Sequence, residues 1–361
     1  MAGLEFYYGP RRPAVPGHIE DVSFFPNIME TAARSYHGCR PASSVCVFCS
    51  DSCAPAAEAL SNLASEAGAS VPVVLDGAVP DWVGPGTDAV LVSFTGDCPG
   101  ILAARDELRA RGCSLHYVTS GGALFRGFAR GDDIALVPAS MGPSGSLASV
   151  LGTLCAMASS MGVFDALPYV GEAASSARAR SDEIAAASSE LSAFASGGVS
   201  AVCGSPEVSA CVMRARDAVG TCADGSAPGT VVMGPFPLEG VQGRAISVDL
   251  GGGSTLARNV AGMIVADMAA EALTSRERGL DPNRDSHFVR RLPEDVRLPK
   301  YNEIDCFNAM AQRPAGGSGL TATAGRASSR TPRRTRTSAS RPSPGRRTPS
   351  ISGTSARCRR A

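Results

Sequence analysis

Three side chains that can bind an oxyanion fall together in one short turn: Ser93, Thr95 and Cys98, around Gly96. The apolar run Ala89-Val90-Leu91-Val92 precedes them, and residues 101–111 follow with helical spacing. A buried strand that feeds hydroxyls and a glycine into a helix start makes an anion cradle, because the first-turn N–H groups lack partners and the hydroxyls add donors. The thiols suggest a second chemistry, metal binding, since Cys46, Cys49 and Cys53 are close in sequence. Cys46 falls inside a strand-like run, however, and no histidine follows at zinc-site spacing, so no metal is expected and the cysteines are read as buried free thiols.

A cradle needs a scaffold, and the pattern around it supplies one. Strand-like segments at 44–48, 71–75, 89–92, 114–118 and 134–137 alternate with helical segments at 55–67, 101–111 and 146–161, after a first helix near 28–33. Strands alternating with helices at this spacing predict a parallel sheet covered on both faces. Residues 172–195 read as one helix bridging to a second lobe, with strands at 199–202, 230–233 and 245–250 and helices at 208–219 and 256–274. The expected fold class is therefore α/β, two doubly wound parallel-sheet lobes with flanking helices. The boundaries are an N-terminal extension 1–17, a first lobe 18–165, a helical linker 166–196, a second lobe 197–292 and an Arg/Ser/Pro-rich tail 293–361.

Composition bounds the function. Of 361 residues 44% are hydrophobic and only 5% aromatic, so the cores must rest on Ala, Val and Leu. Residues 313–361 hold 12 arginines and no carboxylate, while the part before them carries 22 basic against 34 acidic residues. The tail cannot offset its chain entropy by burial and is expected to be disordered. It lacks interleaved aromatics, so nucleic-acid binding is not expected, and a passenger extension is the preferred reading. No apolar run approaches the ~20 residues of a membrane helix, and the start lacks a signal-peptide pattern, which predicts a soluble cytoplasmic protein.

Several segments carry a family resemblance. Pro80-Asp81-Trp82-Val83, residues 87–97 and Val118-Thr119-Ser120-Gly121-Gly122-Ala123-Leu124 resemble the first sugar-isomerase (SIS) domain of the bifunctional phosphoglucose/phosphomannose isomerase family. Val137-Pro138-Ala139-Ser140-Met141-Gly142-Pro143 resembles the segment before that family's long apolar helix, and Leu256-Ala257-Arg258 with Gly279-Leu280-Asp281-Pro282 resembles its closing helix and turn. The resemblance runs from about residue 18 to 292. It implies two SIS lobes holding a sugar phosphate, a homodimer, and aldose–ketose isomerisation through an enediol without cofactor. Ser52, Ser93, Thr95, Cys98, Ser120 and Ser144 are the substrate-binding positions it implies.

The same resemblance locates departures. Asp97 brings a negative charge beside the dianion, repulsive unless the carboxylate turns away or is paired. The family's glycine-rich first turn is here Phe48-Cys49-Ser50-Asp51-Ser52, of which Ser52 alone matches. The arginine before the apolar helix is Ser144, the base carboxylate aligns with Thr221 and the ring-opening histidine with Pro237, leaving Glu239 as the acid/base candidate. His18, His37, His116 and His287 match no family position and read as surface or loop residues. Tyr301-Asn302-Glu303-Ile304 is like a family motif but out of order, so Glu303 reads as a surface carboxylate. Two readings stay open: a phosphosugar isomerase, or a non-catalytic sugar-phosphate sensor or assembly protein.

Overall fold

The computed structural model describes residues 22–38, 40–75, 78–129, 131–137, 142–195, 198–220, 229–234, 238, 239, 241 and 243–273, without the side chains of 51 and 142–145. The extension 1–17, His18, His287, the turn 279–282 and the tail, Glu303 included, lie outside them.

Helix α1 (Phe24–Ser35) precedes the first sheet, whose strands are β1 (Val45–Cys49), β2 (Val73–Leu75), β3 (Asp88–Val92), β4 (Ser114–Thr119) and β5 (Asp133–Leu136). All are parallel, in the order β2-β1-β3-β4-β5. Helices α2 (Ala54–Glu66), α3 (Pro99–Ala110), the short α4 (Gly122–Arg126) and α5 (Gly142–Ser160) connect and cover it. Strands β1 and β3 are buried at every position, as expected for apolar runs sandwiched between helices. Val45, Val47, Cys49, Val90 and Val92 pack in one cluster with residues of α1, α2 and α5, while Cys46, Phe48, Ala89 and Leu91 pack with Ile101, Ala104 and Leu108 of α3. Pro55 and Pro99 open α2 and α3, where a missing N–H costs no helical hydrogen bond.

The chain continues through α6 (Leu167–Ala179) and α7 (Ser181–Phe194) to a second parallel sheet, β6 (Val199–Cys203), β7 (Gly229–Met233) and β8 (Ala245–Val248), with α8 (Ser209–Ala218) after β6 and α9 (Thr255–Glu271) last. Helix α9 is buried along most of its length and packs on α2, α6, α7 and α8. Val199, Val231, Met233 and Val248 join the same core cluster as α1, α2 and α5, so one apolar core serves both sheets. A polar stripe on α2, Glu58, Asn62 and Glu66 at i, i+4 and i+8, meets the second sheet's connections. Ser209 Oγ donates to Glu58 (3.5 Å), Asn62 donates to the Glu207 carbonyl (3.3 Å), and the Thr255 N–H donates to Glu66 (2.6 Å).

Two expectations change. The single helix over 172–195 is two helices, broken at Arg180, whose guanidinium donates to the Leu250 carbonyl at 2.7 Å. His116 is not a surface residue: it lies in β4, 5% exposed, with Nε2 2.9 Å from Asp88 Oδ1. Asp133 Oδ2 is 4.0 Å from its Nδ1 and accepts from the Tyr36 hydroxyl at 2.7 Å. The sheet is covered here too, and a buried imidazole needs such partners. His37 is exposed.

Candidate functional site

The strand order sets the place. From β1 the chain crosses to β2 on one side, and the later strands lie on the other, so the connections after β1 and β3 diverge and leave a crevice at their carboxyl ends. Ser50 and Ser52 follow β1; Ser93 and Thr95 follow β3; Ser120 follows β4. All five are buried, and backbone bonds tie their turns together: Ser50 N–H to the Val92 carbonyl (3.0 Å), Ser93 N–H to Val118 (3.0 Å) and Ser120 N–H to Phe94 (2.9 Å).

Within the β3–α3 turn the two hydroxyls act as acceptors. Gly96 N–H donates to Ser93 Oγ (3.2 Å) and Asp97 N–H to Thr95 Oγ1 (3.3 Å), which leaves each hydroxyl proton for a further acceptor. Cys98 is the N-cap of α3 and makes no side-chain cap bond, and Pro99 follows it. Gly96 has φ +71°, and a Cβ there would sit 2.0 Å from the Gly121 carbonyl oxygen; Gly122, φ +67°, is as close to the Thr95 carbonyl. The two turns thus interlock through positions that only glycine fills.

Asp97 is paired. Its Oδ1 accepts from the Ala123 N–H (2.7 Å) and lies 3.4 Å from Arg126, whose side chain is 71% exposed. The charge the sequence places at the lip is drawn onto the start of α4 and met by a guanidinium. Ser120 is spent differently from the expectation of a ligand donor: its Oγ donates to the Phe94 carbonyl at 2.5 Å and braces the turn. Ser52 Oγ lies 3.6 Å from Cys53 Sγ. Burial raises the Cys53 thiol to about 11, against weaker lowering by hydrogen bonds with Ser52, Phe94 and Ser50.

The structure thus brings Ser52, Ser93, Thr95, Cys98 and Ser120 to one end of the sheet. Ser144 lies in the first turn of α5, which packs on the Asp51–Cys53 turn, and its side chain is outside the described residues, as are Thr221 and Pro237. Glu239 is exposed in the β7–β8 connection, and no contact among the described residues links it to the cradle. Arg126 and Glu58 were not singled out by sequence. The signal for Glu58 was the i, i+4, i+8 polar stripe on an otherwise Ala- and Leu-rich helix. Cys46, Cys49, Cys53, Cys155 and Cys211 are buried and joined in no disulfide, whereas Cys203 is exposed and Cys98 and Cys113 are half-buried, so the expectation of buried thiols fails at those three; no group of three metal-ligating side chains forms among the described residues.

The other strand–glycine–helix junction, β8 to α9 through Gly251-Gly252-Gly253-Ser254, is filled by the protein's own carboxylates. Glu172 accepts from the Ser254 N–H (2.9 Å) and Glu66 from the Thr255 N–H and hydroxyl (2.6 and 2.5 Å). The anion-attracting end of α9 is neutralised from within.

No protein-family model matches the sequence, and no curated protein does. Among solved structures, a phosphosugar isomerase from Clostridium difficile 630 superposes with a TM-score of 0.52 at 10% identity, covering 78% of this chain and 97% of that one. Glucosamine-6-phosphate deaminase from Thermotoga maritima gives 0.49 at 11% identity over 77% and 97%, and a hypothetical protein from Thermus thermophilus gives 0.49 at 12% over 75% and 88%. At such identities the likeness establishes the fold alone: parallel α/β, of the kind found in SIS phosphosugar isomerases.

Proposed function

We propose that this chain binds a sugar phosphate, a hexose 6-phosphate of the kind handled by bifunctional phosphoglucose/phosphomannose isomerases, in the cytoplasm and as a homodimer. Ser93 and Thr95 donate to the phosphate, joined by first-turn N–H groups of α3 beyond Pro99; Cys98 lines the lip, Arg126 supplies positive charge, Ser120 holds the turn, and Ser52 and Ser144 flank it. The observation that carries the reading is the acceptor role of both hydroxyls toward their own backbone, which frees their protons at the sheet's switch point. Binding without efficient turnover is the expected behaviour. The positions that resemble the family's cation, base and ring-opener are Ser144, Thr221 and Pro237, and each missing group is worth orders of magnitude in rate.

The test is calorimetric titration with fructose 6-phosphate and mannose 6-phosphate beside an aldose–ketose assay. Binding that falls about tenfold or more in the Ser93→Ala, Thr95→Val double variant supports the cradle, since two charge-assisted hydrogen bonds are lost. Undiminished binding in that variant overturns it. Turnover that Glu239→Gln abolishes would instead establish an isomerase with Glu239 as its acid/base. Light scattering in solution checks the dimer.

A further inference from the structure

The two sheets differ at one edge. In the first, β1 runs through the Asp51–Cys53 turn into α2 and pairs with β3 on one side and β2 on the other. In the second, β6 runs through the Pro206–Val208 turn into α8 and pairs with β7, with no strand on its other side among the described residues. Chain length accounts for the difference. Residues 67–87 join α2 to β3 and include β2, whereas residues 219–228, which join α8 to β7, are fewer than half as many. The correspondence extends to single bonds: Val47 N–H donates to the Pro72 carbonyl (2.9 Å) just ahead of β2, and Val199 N–H donates to the Gly220 carbonyl (3.3 Å) at the matching place.

Alternation along β6 fixes what its outer edge offers. Gly204 N–H donates to the Met233 carbonyl of β7 (2.8 Å), so even-numbered residues turn their backbone groups to β7 and odd-numbered ones turn them outward, as Val199 does. Ala201 and Cys203 therefore direct N–H and C=O groups to the open side, with no backbone partner there among the described residues. Val202 between them is 38% exposed, and Cys203 is exposed. The strand is firmly mounted: at the seam between the two sheets, just past its carboxyl end, Asn62 Nδ2 donates to the Glu207 carbonyl (3.3 Å) and to Ser209 Oγ (3.1 Å).

Short length and charge protect a sheet edge from pairing, and the other edges have them. β2 has three residues, β5 opens with Asp133, and β8 lies between Arg244 and Asp249. β6 has five residues, Val199-Ser200-Ala201-Val202-Cys203, with neither charge nor proline. A row of backbone donors and acceptors is complemented by another strand.

We propose that β6 is a dimer interface, through which two copies of this chain pair antiparallel with Val202 on the twofold axis. The register follows from the outward groups. Ala201 of one copy lies opposite Cys203 of the other, so the N–H and C=O of both residues are satisfied. Val202 then meets its own counterpart at a non-hydrogen-bonded position, where Cα atoms approach to about 4.5 Å and the exposed valines cover each other. A second copy suits this edge because the strand opposes no like charges when paired with itself. The copy number rests on the homodimer reading above; the choice of edge stands on β6.

Cross-linking of the full-length protein tests the register, in a Cys203→Ser background so that the added thiol is the only one in β6. Val202→Cys is expected to form an intermolecular disulfide under diamide about tenfold or more faster than Ser200→Cys, whose two copies would stand about 14 Å apart. Val202→Lys sets two ammonium groups face to face, so light scattering should give the mass of one chain where wild type gives two, with an unchanged circular dichroism spectrum. Equal cross-linking of the two cysteine variants overturns the pairing. A dimer that survives Val202→Lys also overturns it, and leaves the homodimer reading standing on another face. A wild-type chain with the mass of one copy at every concentration overturns both.

Discussion

Asp97 shows how a single residue reads differently in a sequence and in a fold. By type it is a charge in the wrong place; by geometry it caps α4 and is met by Arg126. The pair is exposed and so adds little to stability. Arg126→Ala is therefore expected to leave the melting temperature within about 2 °C, yet to weaken sugar-phosphate affinity about three- to tenfold, more at low salt where exposed charges are less screened. Titration at two ionic strengths checks it, and an unchanged affinity would remove Arg126 from the site. His116 makes the opposite case. Its ring is enclosed between Asp88 and Asp133, so His116→Leu strands a buried carboxylate and should cost about 3 kcal/mol in urea unfolding, with Gln in its place recovering part of the loss. Sequence conveyed the hydroxyls of the cradle through their spacing. It did not convey the pairing of Asp97 or His116, because both partners come from other turns or strands.

Among the elements, β1 and β3 were legible because each is a short, mainly apolar run, buried at every position and bounded by polar turns. The break between α6 and α7 was not, since neither glycine nor proline marks it; Arg180 holds the turn by a tertiary bond to the Leu250 carbonyl and a local one to Glu183. Contacts between helices were equally hidden. Arg214 of α8 and Asp267 of α9 form a buried ion pair, with Asp217 3.0 Å from the same guanidinium and Asp267 Oδ2 without a hydrogen-bond partner among the described residues. Burial, opposed by Arg214, raises the Asp267 carboxyl to about 6 from 3.8. A carboxyl that holds its proton more tightly when folded adds stability that is full below pH 3.8 and is lost as pH rises through about 6. The difference in unfolding free energy, wild type minus Asp267→Asn, should thus fall by ~1 kcal/mol per pH unit across that window. A flat difference between pH 4 and 6.5 would mean that Asp267 titrates normally.

At the scale of the whole molecule, what matters is that Val199, Ala201, Val231, Met233 and Val248 of the second sheet share the apolar core of the first. These residues, the linking helices and helices α1, α2 and α5 of the first sheet belong to one apolar cluster, and α9 is inserted among α2, α6, α7 and α8. Two lobes marked off by sequence patterns are therefore expected to behave as one thermodynamic unit. Stopping the chain at residue 165 would uncover the Ala- and Leu-lined face of α2 and strand the Glu58–Asn62–Glu66 stripe, whose partners Ser209, Glu207 and Thr255 would be gone. That fragment should lack a cooperative melting transition, whereas the chain ending at residue 313 should melt within about 2 °C of full length, because the removed segment has too little apolar surface to contribute. Calorimetry of the three proteins decides this. Equal calorimetric and van't Hoff enthalpies are expected for the two longer chains. A cooperative transition in the 1–165 fragment, or two resolved transitions in the full chain, would show that the lobes fold independently and that the seam only tethers them.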